Sequence, residues 1–533
     1  MRSVFTLLFA LLYVLPGFAQ SILSSSNLPI VVINTNGQDI PDDPKISADM
    51  GIIYNGEGQR NNLTDPFNEY NGKIAIEIRG QSSQMFPMKS YSVDLKKASG
   101  SSLDQALLGM PAESDWVLYA PYTDKTLMRN VLAYTLAAKT GHWAPRCRYV
   151  ELVLNGDYRG VYVLLEKIKR GKNRVDIPKI AATDLSGDAL TGGYIFSLDK
   201  DPDGWYSTPS NRQFSYVYPK LADIKDEQAA YLKSYVDAFE AALSASNYQD
   251  PENGVRKYAD LASFIDYFIV NEVSRNVDGY RLSTFFHKNR ESAGGKIMAG
   301  PVWDYDLAFR NAGYCDGWRT DGWAYKFNTV CPSDPAGLIP FWWDRFMTDT
   351  AFVSALRCRW NQTRASFLAD NEMNRLVDSV ATVVEEARQR HFQRWPILGQ
   401  YVWPNPDPIP TSYAEELTTL KSWLKDRLAW IDNNLPDKGA CASWPADQSG
   451  SFVFKILQNP IGNQVVYQVQ AREAQQLDLA VYDMTGRLVA RQTIRMTKGS
   501  IQGQIPANWQ KGIYQLRMRN AVGETSLRRI MKR

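Results

Sequence analysis

The sequence predicts an α+β body of two lobes, strand-rich and then helix-rich, followed by a small all-β sandwich. Three observations carry that reading. Short segments of alternating apolar and polar residues, separated by Gly and Asn turns, dominate the stretch from about 70 to 165. Apolar residues at helical spacing then take over, in candidates near 226–246, 260–274, 351–368, 371–393 and 412–434. Residues 436–451 are rich in Pro, Gly, Asp and Ser, and beyond them short alternation returns. At 533 residues, 44% hydrophobic and 22% charged, the chain has ample core for more than one domain.

Taken in order, the first element is a leader at 1–19. Arg2 gives a positive start, 4–15 is an apolar run, and Gly17-Phe18-Ala19 ends in a small residue suited to cleavage. The run is short for a bilayer span, and no later segment approaches ~20 uninterrupted apolar residues. The expected mature chain is exported and starts at Gln20. All five cysteines follow the leader, which suits an oxidising compartment. A disulfide between Cys315 and Cys331 is expected, with Cys358–Cys441 as a second pairing and Cys147 left over.

The body spans 28–440. Residues 74–79 and 89–95 alternate as a strand pair around the loop 80–87. A helix is expected over 124–139, carrying Leu127, Val131, Leu132 and Leu136 on one face and stopped by Gly141. A hairpin follows, 149–154 with 160–165, turned by Asn155-Gly156-Asp157. After a linker at 441–452, the tail at 453–533 shows strand patterns at 465–469, 477–482, 488–493 and 513–518, which predict a sandwich. From Lys455 the tail holds 13 basic and 4 acidic residues, a balance of +9 against +3 for the whole chain, so the body is net acidic.

The chemistry is concentrated in two acidic motifs. Gly300-Pro301-Val302-Trp303-Asp304-Tyr305-Asp306 closes an apolar run with paired acids and follows Asn276-Val277-Asp278. Short carboxylates at a strand end are hard oxygen ligands of the kind that hold metal-bridged phosphates. Arg79-Gly80-Gln81-Ser82-Ser83 offers a guanidinium, two hydroxyls and a glycine where backbone can approach phosphate. Lys89 follows it within reach of the same ligand. With only three histidines, no Cys-x-x-Cys and no His-Glu-x-x-His, a zinc centre or a histidine-based hydrolase is disfavoured.

Strand, loop, strand, helix, hairpin and helical lobe is also the order of elements in a kinase, with the hinge near Glu166-Lys167-Ile168. The motifs 78–83, 87–91, 115–118, 127–130, 151–162, 166–168, 192–195, 276–278 and 300–306 together resemble the CotH family, the spore-coat-protein-H type of atypical protein kinase. That resemblance implies an atypical protein-kinase-like two-lobed fold using ATP with Mg²⁺ or Mn²⁺. It casts Asp278 as the catalytic acid and Asp304 and Asp306 as metal-holding acids. Arg79, Ser82, Ser83 and Lys89 fall at the phosphates, and Glu166 near the adenine. The position where kinases commonly carry a metal-binding Asn, five residues after the catalytic acid, is here Ser283.

The tail resembles the type-A C-terminal sorting domain of the type IX secretion system, on Gln458-Asn459-Pro460, Val481 through Val489, Lys511-Gly512-Ile513-Tyr514 and the basic terminus. It implies passage through the periplasm to the outer surface, with the secretion machinery as partner, no nucleic acid and no transmembrane anchor. The expected activity is phosphate transfer from ATP to Ser or Thr of a surface or matrix protein. The alternative is a non-enzymatic adhesin or matrix-binding protein reusing the fold. A carbohydrate-active protein is a further rival, suggested by Trp318, Trp323, Trp342 and Trp343.

Overall fold

A computed structural model describes residues 23–200, 204–334, 337–437, 452–471, 474–483, 488–520 and 525–532. The expected leader, most of the linker, Cys441 and the tail motif residues 484–487 lie outside these. The chain divides into two compact units, Met1–Lys438 and Gly439–Arg533.

The strand-rich part of the first unit is a closed barrel of seven strands. Around the ring run Ile30–Asn34, Ile46–Ile53, Tyr70–Arg79, Ser90–Lys96, Asp115–Tyr119, Asp157–Glu166 and Cys147–Leu154. The seam is parallel, with Ile30 to Ile33 beside Glu151 to Leu154, and the other neighbours are antiparallel. Side chains two apart point inward together: Ile74 with Ile76, Val93 with Leu95, Trp116 with Leu118, Val150 with Leu152, Tyr162 with Leu164. The interior is thus a packed core rather than a channel. In the hairpin turn, Asn155 (φ 51°) and Gly156 (φ 80°) both adopt the left-handed conformation, which twists with the flanking strands.

The expected helix over 124–139 begins later, at Arg129, and runs to Thr140, where Gly141 (φ 106°) caps it. The turn before it is organised by the buried Asp124, which accepts from the Thr126 and Arg129 backbone N–H groups at 3.0 and 2.7 Å and pairs with the Arg129 guanidinium.

The second part is less purely helical than the sequence pattern suggests. A five-stranded sheet, in the order Trp205–Tyr206, Gln213–Tyr218, Tyr194–Leu198, Thr284–Lys288, Ile297–Ala299, is set among its helices. The helices are Asp226–Ser244, Leu261–Ser274, Thr350–Arg364, Asp370–Val384, Ala387–Arg394 and Tyr413–Asn434, so the expected 371–393 helix is two pieces. Leu261–Ser274 is the central one. Asp260 caps its start by accepting from Ser263 N–H, and every residue from Ser263 to Ser274 is buried. Its polar side chains are buried only with partners: Asp266 with Arg359 at 2.6 Å, Asn271 with the Tyr305 hydroxyl at 2.9 Å, Glu272 with Arg427 at 2.9 Å.

The second unit holds two antiparallel sheets. One is Phe452–Ile456, Gln464–Ala471 and Gly499–Pro506; the other is Leu488–Met496, Gln475–Asp483, Gly512–Asn520 and Thr525–Lys532. Val465, Tyr467 and Val469 of one sheet share a core with Leu477, Leu479, Val481, Leu516 and Met518 of the other, as a sandwich requires.

Candidate active site

The central helix ends at Arg275, whose φ of 46° turns the chain sharply into Asn276-Val277-Asp278. The strand Ile297–Ala299 leads to the second motif, in which Asp304 itself is left-handed, at φ 62°. Asp tolerates that conformation better than most residues, and such backbone persists only where its surroundings hold it. Here they do. The Asp304 N–H donates to the Tyr134 hydroxyl at 3.2 Å and the Tyr305 N–H to Asn130 Oδ1 at 2.6 Å. Asn130 and Tyr134 lie four apart, on one face of the helix after the barrel. Asn276 ties the two acidic turns together, since its Nδ2 donates to the Asp304 carbonyl at 3.3 Å while its Oδ1 accepts from the Asp278 N–H at 3.2 Å.

The barrel contributes Arg79, from the end of the Tyr70–Arg79 strand. Its guanidinium lies 5.2 Å from the ring centre of Trp303. Burial lowers the Arg79 pKa, and Asp304 is the strongest charge opposing that shift. Asp304 reaches solvent, yet burial raises its carboxyl, with Arg79 opposing and Asp278 and Asp199 adding. Asp306 is pushed up further, by burial and then by Asp304, Asp278 and Asp124. Burial also raises Asp278, against the pull of Arg281, whose guanidinium holds it at 2.9 Å and reaches Asp334 at 3.0 Å. Asp278 thus acts on both Asp304 and Asp306, Asp304 acts on Asp306, and Arg79 faces Asp304.

The other expected residues divide. Ser82 and Ser83 form a one-turn 3₁₀ segment after Gly80, and their hydroxyls have no hydrogen bond among the described residues. Gly80 is required there, because at φ +94° a Cβ would stand 2.1 Å from Ser83 Oγ. Lys89 is close by, but its ammonium is engaged by the Gln84 carbonyl. Glu166 is fully buried and accepts from Arg146 Nε and Nη2 at 2.8 and 2.7 Å, so its carboxylate is spent on an ion pair rather than offered to an adenine. The tryptophans also separate: Trp342 and Trp343 are 1% exposed and belong to the core, whereas Trp318 is 44% exposed.

Several residues around the site were given no role from the sequence. Tyr119, at the end of a barrel strand, has its hydroxyl pKa raised by burial and then by Asp306, Asp124 and Asp304. Lys167 is a cation beside Arg79, its pKa lowered by burial and then by Arg79 and Lys45. Arg281 and Asn276 stand inside or next to a quoted motif, but only the fold shows what they hold.

Burial is the main cause raising both carboxyls, with neighbouring acids adding, and a divalent cation held by Asp304 and Asp306 would offset both. Among the described residues no three or more His, Cys, Asp or Glu side chains form a ready-made metal cage.

A family model described as CotH kinase protein matches residues 76–431. The chain belongs to that family. The tail from 455 to 533 matches the secretion system C-terminal sorting domain, so this CotH protein is exported to the cell surface or beyond it through the type IX machinery. No helix among the described residues is long and apolar enough to cross a membrane. No curated protein matches the chain. Among solved structures, dimeric latent PorU from Porphyromonas gingivalis is 16% identical over 16% of this chain and 9% of its own, with a TM-score of 0.14. A β-glucosidase from Listeria innocua in complex with glucose is 10% identical over 15% of this chain and 16% of its own, with a TM-score of 0.12. Likenesses this short and distant bear on neither the fold nor the activity of the CotH body.

Proposed function

We propose that the CotH body is an exported atypical kinase of two lobes, transferring phosphate from ATP to Ser or Thr of a surface or matrix protein. The observation that supports this reading is that Asn276 ties the Asp278 turn to the Asp304 turn, while Arg79, from the barrel, lies over Trp303 and acts on Asp304. Phosphoryl transfer is catalysed by positioning and charge neutralisation, and a cation opposite separated acids supplies both. Arg79 and the free hydroxyls of Ser82 and Ser83 hold the phosphates. Lys89 joins them after releasing the Gln84 carbonyl, and Lys167 is a second cation on the same side. Asp304 and Asp306 hold Mg²⁺ or Mn²⁺, which neutralises phosphate charge when bound. Asp278, fixed by Arg281 and Asn276, orients the attacking hydroxyl and accepts its proton. Glu166 serves indirectly, by fixing Arg146 at the strand end beside Lys167.

Intact-mass measurement of the protein and a surface-protein extract, after incubation with ATP and Mg²⁺ or Mn²⁺, tests this. A phosphoryl increment supports the reading, and a nucleotidyl increment replaces it with adenylyl transfer. Absence of any increment, together with no nucleotide binding by calorimetry, overturns it in favour of a non-enzymatic surface adhesin.

A further inference from the structure

A second cavity lies beside the acid cluster. It has a volume of about 360 Å³ and is walled by Tyr314, Trp318, Tyr401 and Trp403, with Asn405 and Asp407 among its polar groups. That is the size range of small-ligand sites. Tyr401, Trp403 and Trp318 are 62%, 42% and 44% exposed, an unusual concentration of ring surface left in water.

The rings are held in place. Tyr314 and Trp403 stack with 5° between their planes and 6.1 Å between centres. The Gly313 N–H donates to the Pro404 carbonyl at 2.6 Å, and Arg310 donates to the carbonyls of Asp407 and Pro408 at 3.1 Å. Trp423 Nε1 donates to the Trp318 carbonyl at 2.8 Å, and Cys315, next to Tyr314, is bonded to Cys331. Exposed rings on so braced a frame are organised before any ligand arrives.

The polar groups narrow the ligand. Among the described residues no Lys or Arg lines the cavity, and the nearest cations are engaged: Arg319, 5.8 Å from the Trp318 ring centre, pairs with Asp321 at 2.7 Å, and Arg310 donates to the Asp407 and Pro408 carbonyls, an arrangement that does not favour an anion. The exposed Asp407 carboxylate offers acceptors instead, whereas Asn405, 7% exposed, spends its amide hydrogens on Thr123 and Asn311 and keeps its unpartnered Oδ1 buried. Flat apolar faces bordered by acceptors complement a neutral polyhydroxylated ring, whose C–H face stacks and whose hydroxyls donate. Gly317, between Tyr314 and Trp318, packs against Val277, so close that a Cβ there would stand 2.5 Å from Val277 Cγ1, which sets this wall one residue from Asp278.

We propose that this cavity is a sugar-binding subsite that takes a neutral pyranose unit of a glycan. Resting on the phosphotransfer reading, it follows that the acceptor is a glycosylated or polysaccharide-bound surface component, seated by its sugar next to Asp278.

The test is calorimetric titration of the full mature protein, without nucleotide, with neutral hexasaccharides of glucose, xylose and N-acetylglucosamine and with a proline-rich peptide. At least one hexasaccharide binds, and Trp403→Ala and Tyr401→Ala each weaken it about tenfold or more. Both side chains are exposed, so unchanged thermal unfolding certifies the variants. Titration of ATP into Trp403→Ala, unchanged from wild type, separates this subsite from the nucleotide site. No binding of any hexasaccharide, binding indifferent to both substitutions, or preference for the peptide overturns the proposal whatever the outcome for phosphate transfer.

Discussion

Replacing Arg427 by Met should destabilise the body by about 3–4 kcal/mol. Arg427 is fully buried on Tyr413–Asn434 and donates to the Glu272 carboxylate at 2.9 Å, the Glu272 carbonyl at 2.7 Å, and the carbonyls of Thr320 and Gly322 at 3.0 and 2.6 Å. Burial dominates both partners: it raises the Glu272 pKa and lowers that of Arg427 to about 10. Removing one member of such a pair typically costs about 3–5 kcal/mol, because the other charge is stranded. Glu272 still accepts from the Ala324 and Tyr325 N–H groups and the Tyr280 hydroxyl, which places the loss toward the lower end. The loss also depends on pH. Without Arg427 the folded-state pKa of Glu272 rises further above its unfolded value, so the folded state binds the extra proton and the variant loses stability as pH rises. Urea unfolding of the body at pH 5 and pH 8 should show the larger deficit at pH 8, and adding Glu272→Gln should recover about 1–2 kcal/mol. A deficit under about 1 kcal/mol, or one equal at both pH values, would refute the buried-charge account.

Asp304→Ala should abolish metal-dependent ATP binding in calorimetry, whereas Asp278→Ala should retain binding and lose about 10²–10⁴-fold in transfer rate. Gly80→Ala should cost about 1–2 kcal/mol and weaken ATP binding, because φ +94° strains any residue with a Cβ and a methyl group there would force the Ser83 hydroxyl to rotate away; unchanged affinity would remove that loop from the phosphate site. Asp115 is lowered to about 2, burial opposing but the Lys169 hydrogen bond and charge prevailing. Its stabilising contribution is therefore present above pH ~4 and lost as pH falls toward 2, and Lys169→Met should flatten the acid limb of the stability profile. The Cys315–Cys331 bridge spans 16 residues, so its loss in a Cys→Ser pair should cost about 3 kcal/mol in the chain-entropy account, read by thermal unfolding against wild type.

Local chemistry was legible in the sequence, and long-range closure was not. Asn155-Gly156 announced its hairpin because two left-handed residues in succession leave few alternatives. The 3.6-residue period located the long helices, and alternation located four tail strands. Gly499–Pro506 escaped because Gly and Pro mask a strand, and Thr525–Lys532 lies in the basic terminus. The barrel escaped because its seam pairs Ile30–Asn34 with residues some 120 positions later, which no local pattern encodes. At the site, the acidic motifs stood out by spacing. The fate of Glu166 turned on Arg146, twenty residues earlier, and that of Lys89 on the Gln84 carbonyl inside its own loop. Cys315–Cys331 is bridged as expected. Cys358 is disulfide-bonded too, its expected partner Cys441 lying outside the described residues, and Cys147 is free.

The ring of seven strands has a consequence for life on a crowded cell surface. Each strand in the closed circle has a neighbour on both sides, so the barrel itself presents no unpaired edge strand onto which another chain could add. Secreted copies can thus be packed densely at the surface without that part seeding sheet-to-sheet association. The same closure is slow to reach, because its seam joins Ile30–Asn34 to a hairpin some 120 residues later in the chain. Until then both seam strands remain open edges, and the vulnerable interval for this protein falls during export rather than after it.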